Sequence, residues 1–166
     1  MNQVIQNVSD TAFMVAGFRA LGLSHEEACA TMRSAVHLAA DAIDRARKDS
    51  GHTAQLILTL GAYGVRRHVW RALSPDSLQS SLPGGAEYTG AYEGATQSEI
   101  EQFHYERIAI FAAAPSTWRH VAALRVETIP LLSEVVAVRR AAARIFSLFG
   151  KKALIITCTF SADGRL

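Results

Sequence analysis

A chain of 166 residues that is 49% hydrophobic and 19% charged is long enough for one globular domain with a sizeable core, and too apolar for a disordered or fibrous protein. Its 17 basic and 15 acidic residues leave a net charge of +2, and the basic residues are scattered, so neither nucleic acid nor an anionic membrane is an expected partner. No apolar run reaches the roughly 18 residues of a membrane span. The first residues lack a basic-then-apolar leader, and Cys29 and Cys158 show no CxxC spacing, so a cytoplasmic, reducing location is expected and no metal motif is present.

Val4-Ile5 reads as the remnant of a strand, and Phe13 to Leu21 as a short apolar helix closed by Gly22. Ser24-His25-Glu26-Glu27 has the form of a capping box, in which the serine oxygen and the glutamate carboxylate each satisfy a free amide at a helix start. Behind it Ala28, Met32, Ala35, Val36, Ala39 and Ile43 recur at helical steps, and Asp49-Ser50-Gly51 supplies the stop. Gln55 to Leu60 is a nearly continuous apolar run, as expected of a strand buried on both faces, and it empties into Gly61-Ala-Tyr-Gly64.

Thr96 to Glu99 is a second capping box, followed by Ile100, Phe103, Ile108 and Phe111 at roughly helical spacing. Val121 to Val126 reads as another strand, and Pro130 is expected in the first turn of a helix, where no amide bond is lost. That helix carries the stripe Leu131, Val135, Val138, Ala142, Ile145 and Phe149 and stops at Gly150. Ala153 to Phe160 is a third clear strand, closed by the turn signal Asp163-Gly164. Strands alternating with helices predict an α/β fold with a parallel sheet, either doubly wound or a barrel. Both place ligands beyond the carboxyl ends of the strands, which directs attention to Gly61–Gly64 and Glu127–Pro130.

Glu127 ends an apolar strand, where a partly desolvated carboxylate could pair with a substrate ammonium. On position alone, a carboxylate favouring the dipole of the following helix is the stronger account. The Gly61–Gly64 loop allows backbone to approach a ligand, though it lacks the GxGxxG fingerprint and a simple turn accounts for it as well. The six histidines show no ligand spacing, and His104 and His120 are expected to be surface or ordinary helix residues. Arg66-Arg67-His68 and Arg139-Arg140 read as solvated faces. There is no GxSxG, no P-loop and no sign of a nucleophilic cysteine, and Cys158 reads as a core residue.

Six segments taken in order, "FRALGLSHEEACATMRSAVHLA", "LGAYG", "EYTGAY", "FHYERIAIF", "VETIPLLSEVVAVRR" and "ITCTFSADGRL", resemble the homocysteine S-methyltransferase family. The resemblance implies a (β/α)8 TIM barrel and methyl transfer to homocysteine from S-methylmethionine or S-adenosylmethionine. It also implies a zinc ion on which three cysteines hold the homocysteine thiolate. The family's E-T-x-P glutamate binds the homocysteine amino group, a role that would fall on Glu127. Gly61 and Tyr63 match its G-P-Y-G loop beside the substrate, with Ala62 in place of the proline.

The family's zinc cysteines, one after a later strand and two in a Gly-Gly-Cys-Cys motif, have no counterpart here, and neither Cys29 nor Cys158 inherits their role. The expectation is therefore a single domain over 1–166, a partial barrel with about half of the βα units. The first strand with its Asp-Gly-Gly motif is expected to be missing, as are roughly the last three units. An irregular insert is expected at 65–86, for which a real loop and a retained intron are both consistent. Such a chain is expected to be inactive alone, with no assignable catalytic or metal residue. The alternatives are a non-catalytic barrel fragment that binds or regulates a partner, self-associating through open sheet edges, and an unrelated α/β binding domain.

Overall fold

The computed structural model describes residues 3–9, 15–64, 92 and 94–160. In chain order its elements are β1 (Gln3–Ser9), α1 (Val15–Ala20), α2 (His25–Ser50), β2 (Thr53–Gly61), α3 (Gln97–Ala112), α4 (Pro115–Trp118), β3 (Val121–Ile129), α5 (Leu132–Phe149) and β4 (Ala153–Cys158). The strands form one four-stranded sheet in the order β1-β2-β3-β4, and every pairing is parallel. Each strand therefore lies beside the next in sequence, with no reversal of strand order. The segment expected to be an insert, 65–86, lies outside the described residues.

Both capping boxes form. Ser24 Oγ accepts from the Glu27 amide at 3.2 Å while the Glu27 carboxylate accepts from the Ser24 amide at 2.8 Å. Thr96 and Glu99 repeat the exchange at 3.2 and 2.7 Å. At its other end α2 closes on Gly51, whose left-handed φ of 69° lets its amide reach the Arg47 carbonyl at 3.0 Å.

The apolar stripes of the helices meet the sheet in one core. Met32, Val36, Ala39 and Ile43 of α2, Ile108 and Phe111 of α3 and Val138, Ala142 and Ile145 of α5 pack with Leu56, Leu58 and Leu60 of β2 and Leu124, Val126 and Ile129 of β3. These strand residues share one face, so the helices cover the same side of the sheet. The opposite face of the two central strands carries Ile57, Thr59, Ala123, Arg125 and Glu127. Thr59 stands in register with Arg125, and Gly61 with Glu127.

Several expectations are corrected. The remnant at Val4-Ile5 is a seven-residue strand paired along its length with β2. The strand expected over Val121–Val126 runs on to Ile129, which puts Glu127 inside it, and β4 stops at Cys158. Pro130 precedes the helix: the N-cap is Leu131, extended at φ −130° and ψ 133°. A proline disfavours helical backbone in the residue before it, which suits Ile129 as the last strand residue. Ala35 is exposed, and Cys29 and Ala40 complete the buried face of α2 in its place.

Removing one cap isolates its contribution. Ser24→Ala is expected to lower stability by about 1 kcal/mol in urea denaturation; a loss within a few tenths would mean the first turn of α2 is held by tertiary packing alone.

Candidate functional site

The carboxyl ends of β2 and β3 define the site. β3 gains one residue relative to β4 there: Val126 pairs with Ile156, and the next pair is Ile129 with Cys158. The interposed Glu127 and Thr128 form a bulge, a device that redirects side chains at the rims of sheets. Thr128 has φ 65°, which is costly for a β-branched residue, about 1–3 kcal/mol. The bulge lets Val126 and Ile129 both enter the core, at 0% exposure, although they are an odd three residues apart.

Glu127 stays on the opposite face and is about a quarter exposed, with its carboxylate 3.0 Å from the Arg125 guanidinium. Its register neighbour on β2 is Gly61, so no side chain stands beside it on that strand. The structure thus brings Glu127 and Gly61 together. Tyr63 sits differently: its ring is buried, 5.1 Å from Phe103 and 5.6 Å from Tyr92, so its backbone shapes the loop while its side chain packs with the helices.

That loop is fastened from behind by groups to which the sequence reading gave no role in the site. Glu134, in the first turn of α5, is completely buried. Its carboxylate accepts from the Tyr63 amide at 2.6 Å, from His104 Nε2 at 2.8 Å and from the Tyr92 hydroxyl. The Tyr92 oxygen in turn accepts from the Gly64 amide at 3.2 Å, and Arg107 donates to the Gly61 carbonyl at 2.8 Å. The Arg107 guanidinium lies 4.8 Å from the centre of the Phe103 ring. Three backbone groups of the loop are held by side chains from α3, α5 and Tyr92.

Electrostatics fix the protons in this cluster. Burial pushes the His104 pKa down and outweighs the nearby Glu134 carboxylate, so His104 is a neutral imidazole. Its Nδ1 is buried without a partner, which is tolerable for a lone pair and costly for a proton, so the hydrogen belongs on Nε2 facing Glu134. Burial, reinforced by the Glu134 charge, holds the Tyr92 phenol far above its usual range. Tyr92 is thus a fixed donor to Glu134.

A homocysteine S-methyltransferase family model matches residues 10–166. The chain belongs to the homocysteine S-methyltransferase family. It is 31% identical over 108 residues to Homocysteine S-methyltransferase 1 of Brassica oleracea var. italica, an alignment covering 60% of this chain and 28% of that protein. The chain therefore spans well under half the length of this curated relative. No solved structure matches it.

The zinc that the family resemblance implies would need a set of converging ligands. Among the described residues no three His, Cys, Asp or Glu side chains converge to hold a metal ion. Burial raises the pKa of Cys29, the opposite of what a metal-bound thiolate requires. Cys158 is half-buried at the edge of the core. The described residues do not fit a zinc site, and no step is derived through one. No helix among them is long and apolar enough to cross a membrane.

His104 corrects the expectation of a surface or ordinary helix residue, because it anchors the loop network. His120 is half-buried, its ring 5.7 Å from that of His37. A signal for the network did exist. His104 and Arg107 fall on the same face of α3 as Ile100, Ile108 and Phe111, and Glu134 falls in line with Val138, Ala141 and Ile145. Charged and polar residues on an apolar face need partners: Glu134 and Arg107 bond the loop backbone, and His104 bonds Glu134.

Removing the Glu134 carboxylate leaves buried donors unpaired, so Glu134→Ala is expected to cost about 3 kcal/mol or more in chemical denaturation; a cost below about 1 kcal/mol would mean the loop is held without it. His104 binds its proton less readily in the folded state than unfolded. Stability is therefore expected to fall as pH drops below the unfolded value of about 6.5, by up to about 1.4 kcal/mol per pH unit. In His104→Gln, which keeps a donor to Glu134, that part of the pH dependence should vanish; an unchanged slope would assign it to other groups.

Proposed function

We propose that this chain is the homocysteine-binding part of a methyltransferase built on a (β/α)8 barrel, with about half of the barrel's βα units present. Sequential parallel strands with helices on one face support the barrel over a doubly wound sheet, whose strand order reverses and whose helices cover both faces. The face carrying Arg125 and Glu127 would then look into the barrel.

The observation that carries the functional reading is Glu127, set by a strained bulge at the carboxyl end of β3 beside the side-chain-free Gly61. Backbone strain concentrates where function needs an otherwise unfavourable orientation. A partly buried carboxylate there binds an ammonium through charge-assisted hydrogen bonds. The loop from Gly61 through Tyr63 forms the adjoining wall, with Tyr63 acting through its backbone.

In the complete reaction the homocysteine sulfur loses its proton and attacks the methyl carbon of a sulfonium donor, S-methylmethionine or S-adenosylmethionine. The donor's carbon–sulfur bond breaks and its electron pair leaves with a neutral thioether, so methionine forms as the methylated product. A free thiol is mostly protonated at neutral pH, with a pKa of about 8.5. In the family zinc supplies the deprotonated thiolate. The described residues supply the binding and orienting half of this chemistry.

Calorimetric titration of L-homocysteine into the 166-residue chain tests the assignment. Glu127→Gln is expected to weaken binding by about tenfold or more, and an unchanged affinity would defeat the assignment. The same chain is expected to bind homocysteine without methylating it. Methyl transfer from either donor in metal-free buffer would overturn that expectation.

A further inference from the structure

We infer that Arg125 and Thr59 form a carboxylate subsite next to Glu127, so that the rim recognises both charges of an α-amino acid. This rests on the reading of Glu127 as the ammonium site. Arg125 lies two residues before Glu127 on the same face of β3, and their side chains meet at 3.0 Å. Thr59 is the register partner of Arg125 on β2, one step below the Gly61–Glu127 pair.

Two donors in this row lack an acceptor. Thr59 is completely buried, and its hydroxyl has no hydrogen-bond partner. Arg125 Nε is likewise buried and unpartnered. Buried donors are nearly always paired in folded proteins, and each one left unpaired is destabilising. Two unmet donors on adjacent strands, one cationic, define the complement of a carboxylate. The β4 register partner of Arg125 is Ile155, which brings no charge to compete.

Without ligand, Arg125 also neutralises Glu127, so the pair would resist a simple amine: its ammonium must displace the guanidinium and offers nothing in return. A zwitterion does not impose this loss. Its ammonium takes Glu127 while its carboxylate accepts from Arg125 and Thr59, and all four charges remain paired. The ion pair thereby selects amino acids over amines.

Three thiols test this by calorimetry on the full chain: L-homocysteine, its decarboxylated analogue 3-aminopropane-1-thiol, and its deaminated analogue 4-mercaptobutanoate. The wild type is expected to bind homocysteine about tenfold or more tighter than either analogue. Arg125→Gln should bring homocysteine down to the level of the aminothiol without weakening the aminothiol. Thr59→Val, which matches the shape and removes the unmet hydroxyl, should fold at least as stably yet bind homocysteine more weakly, with the aminothiol unaffected.

If Arg125→Gln tightens homocysteine and the aminothiol alike, Arg125 is only a competitor for Glu127 and the carboxylate subsite is wrong. The subsite is also wrong if binding depends on Glu127 but ignores both Arg125→Gln and Thr59→Val. Binding insensitive to Glu127→Gln, or absent in the wild type, would instead overturn the ammonium site and the subsite with it.

Discussion

The buried Glu134 carboxylate is the constraint on which the candidate site depends. It sits at the start of α5, directly behind the loop after β2, and gathers a backbone amide, an imidazole and a phenol. A carboxylate removed from water is destabilising unless its oxygens are well filled, and here three donors fill them. The geometry of the Gly61–Gly64 loop is thereby tied to the position of α5. The strand that carries Glu127 leads into that same helix, so the two walls of the site are referenced to one another. A shift of either would break bonds made to Glu134.

The site has two layers of different character. Behind the loop, protons are fixed: His104 is neutral, Tyr92 keeps its hydrogen, and Arg107 holds a carbonyl. In front, Arg125 and Glu127 remain partly open to solvent and pair with each other. The buried layer gives rigidity and the exposed layer gives charge. Ligand recognition needs both, because a charged group binds selectively only when its position is already settled before the ligand arrives.

Much of the fold was legible in the sequence for local reasons. The two capping boxes, the glycine stop after α2 and the apolar runs of β2, β3 and β4 are short-range signals, and each formed. Glu127 stood out in the sequence because an acidic residue after an apolar run conflicts with its surroundings, and the structure sets it inside β3. The bulge was not, since a single extra residue in β3 is defined only by the strand beside it. Tyr63 illustrates the same limit: its place in the loop could be read, but the burial of its ring depends on Phe103 and Tyr92, which are distant in sequence. Glu134 and His104 each interrupt the apolar face of their own helix, but which partner each meets is set only when the two helices face each other. β1 was underestimated because its register with β2, rather than any strong apolar pattern, makes it a strand.

The bulge at the end of β3 has one further consequence. Because the extra residue is absorbed between Val126 and Ile129, both of those side chains stay in the core whatever occupies the two positions between them. The chain can thus exchange the rim residues while the packing that folds the sheet is left alone. In evolutionary terms, the rim's side-chain chemistry and the folding of this strand end are separately mutable.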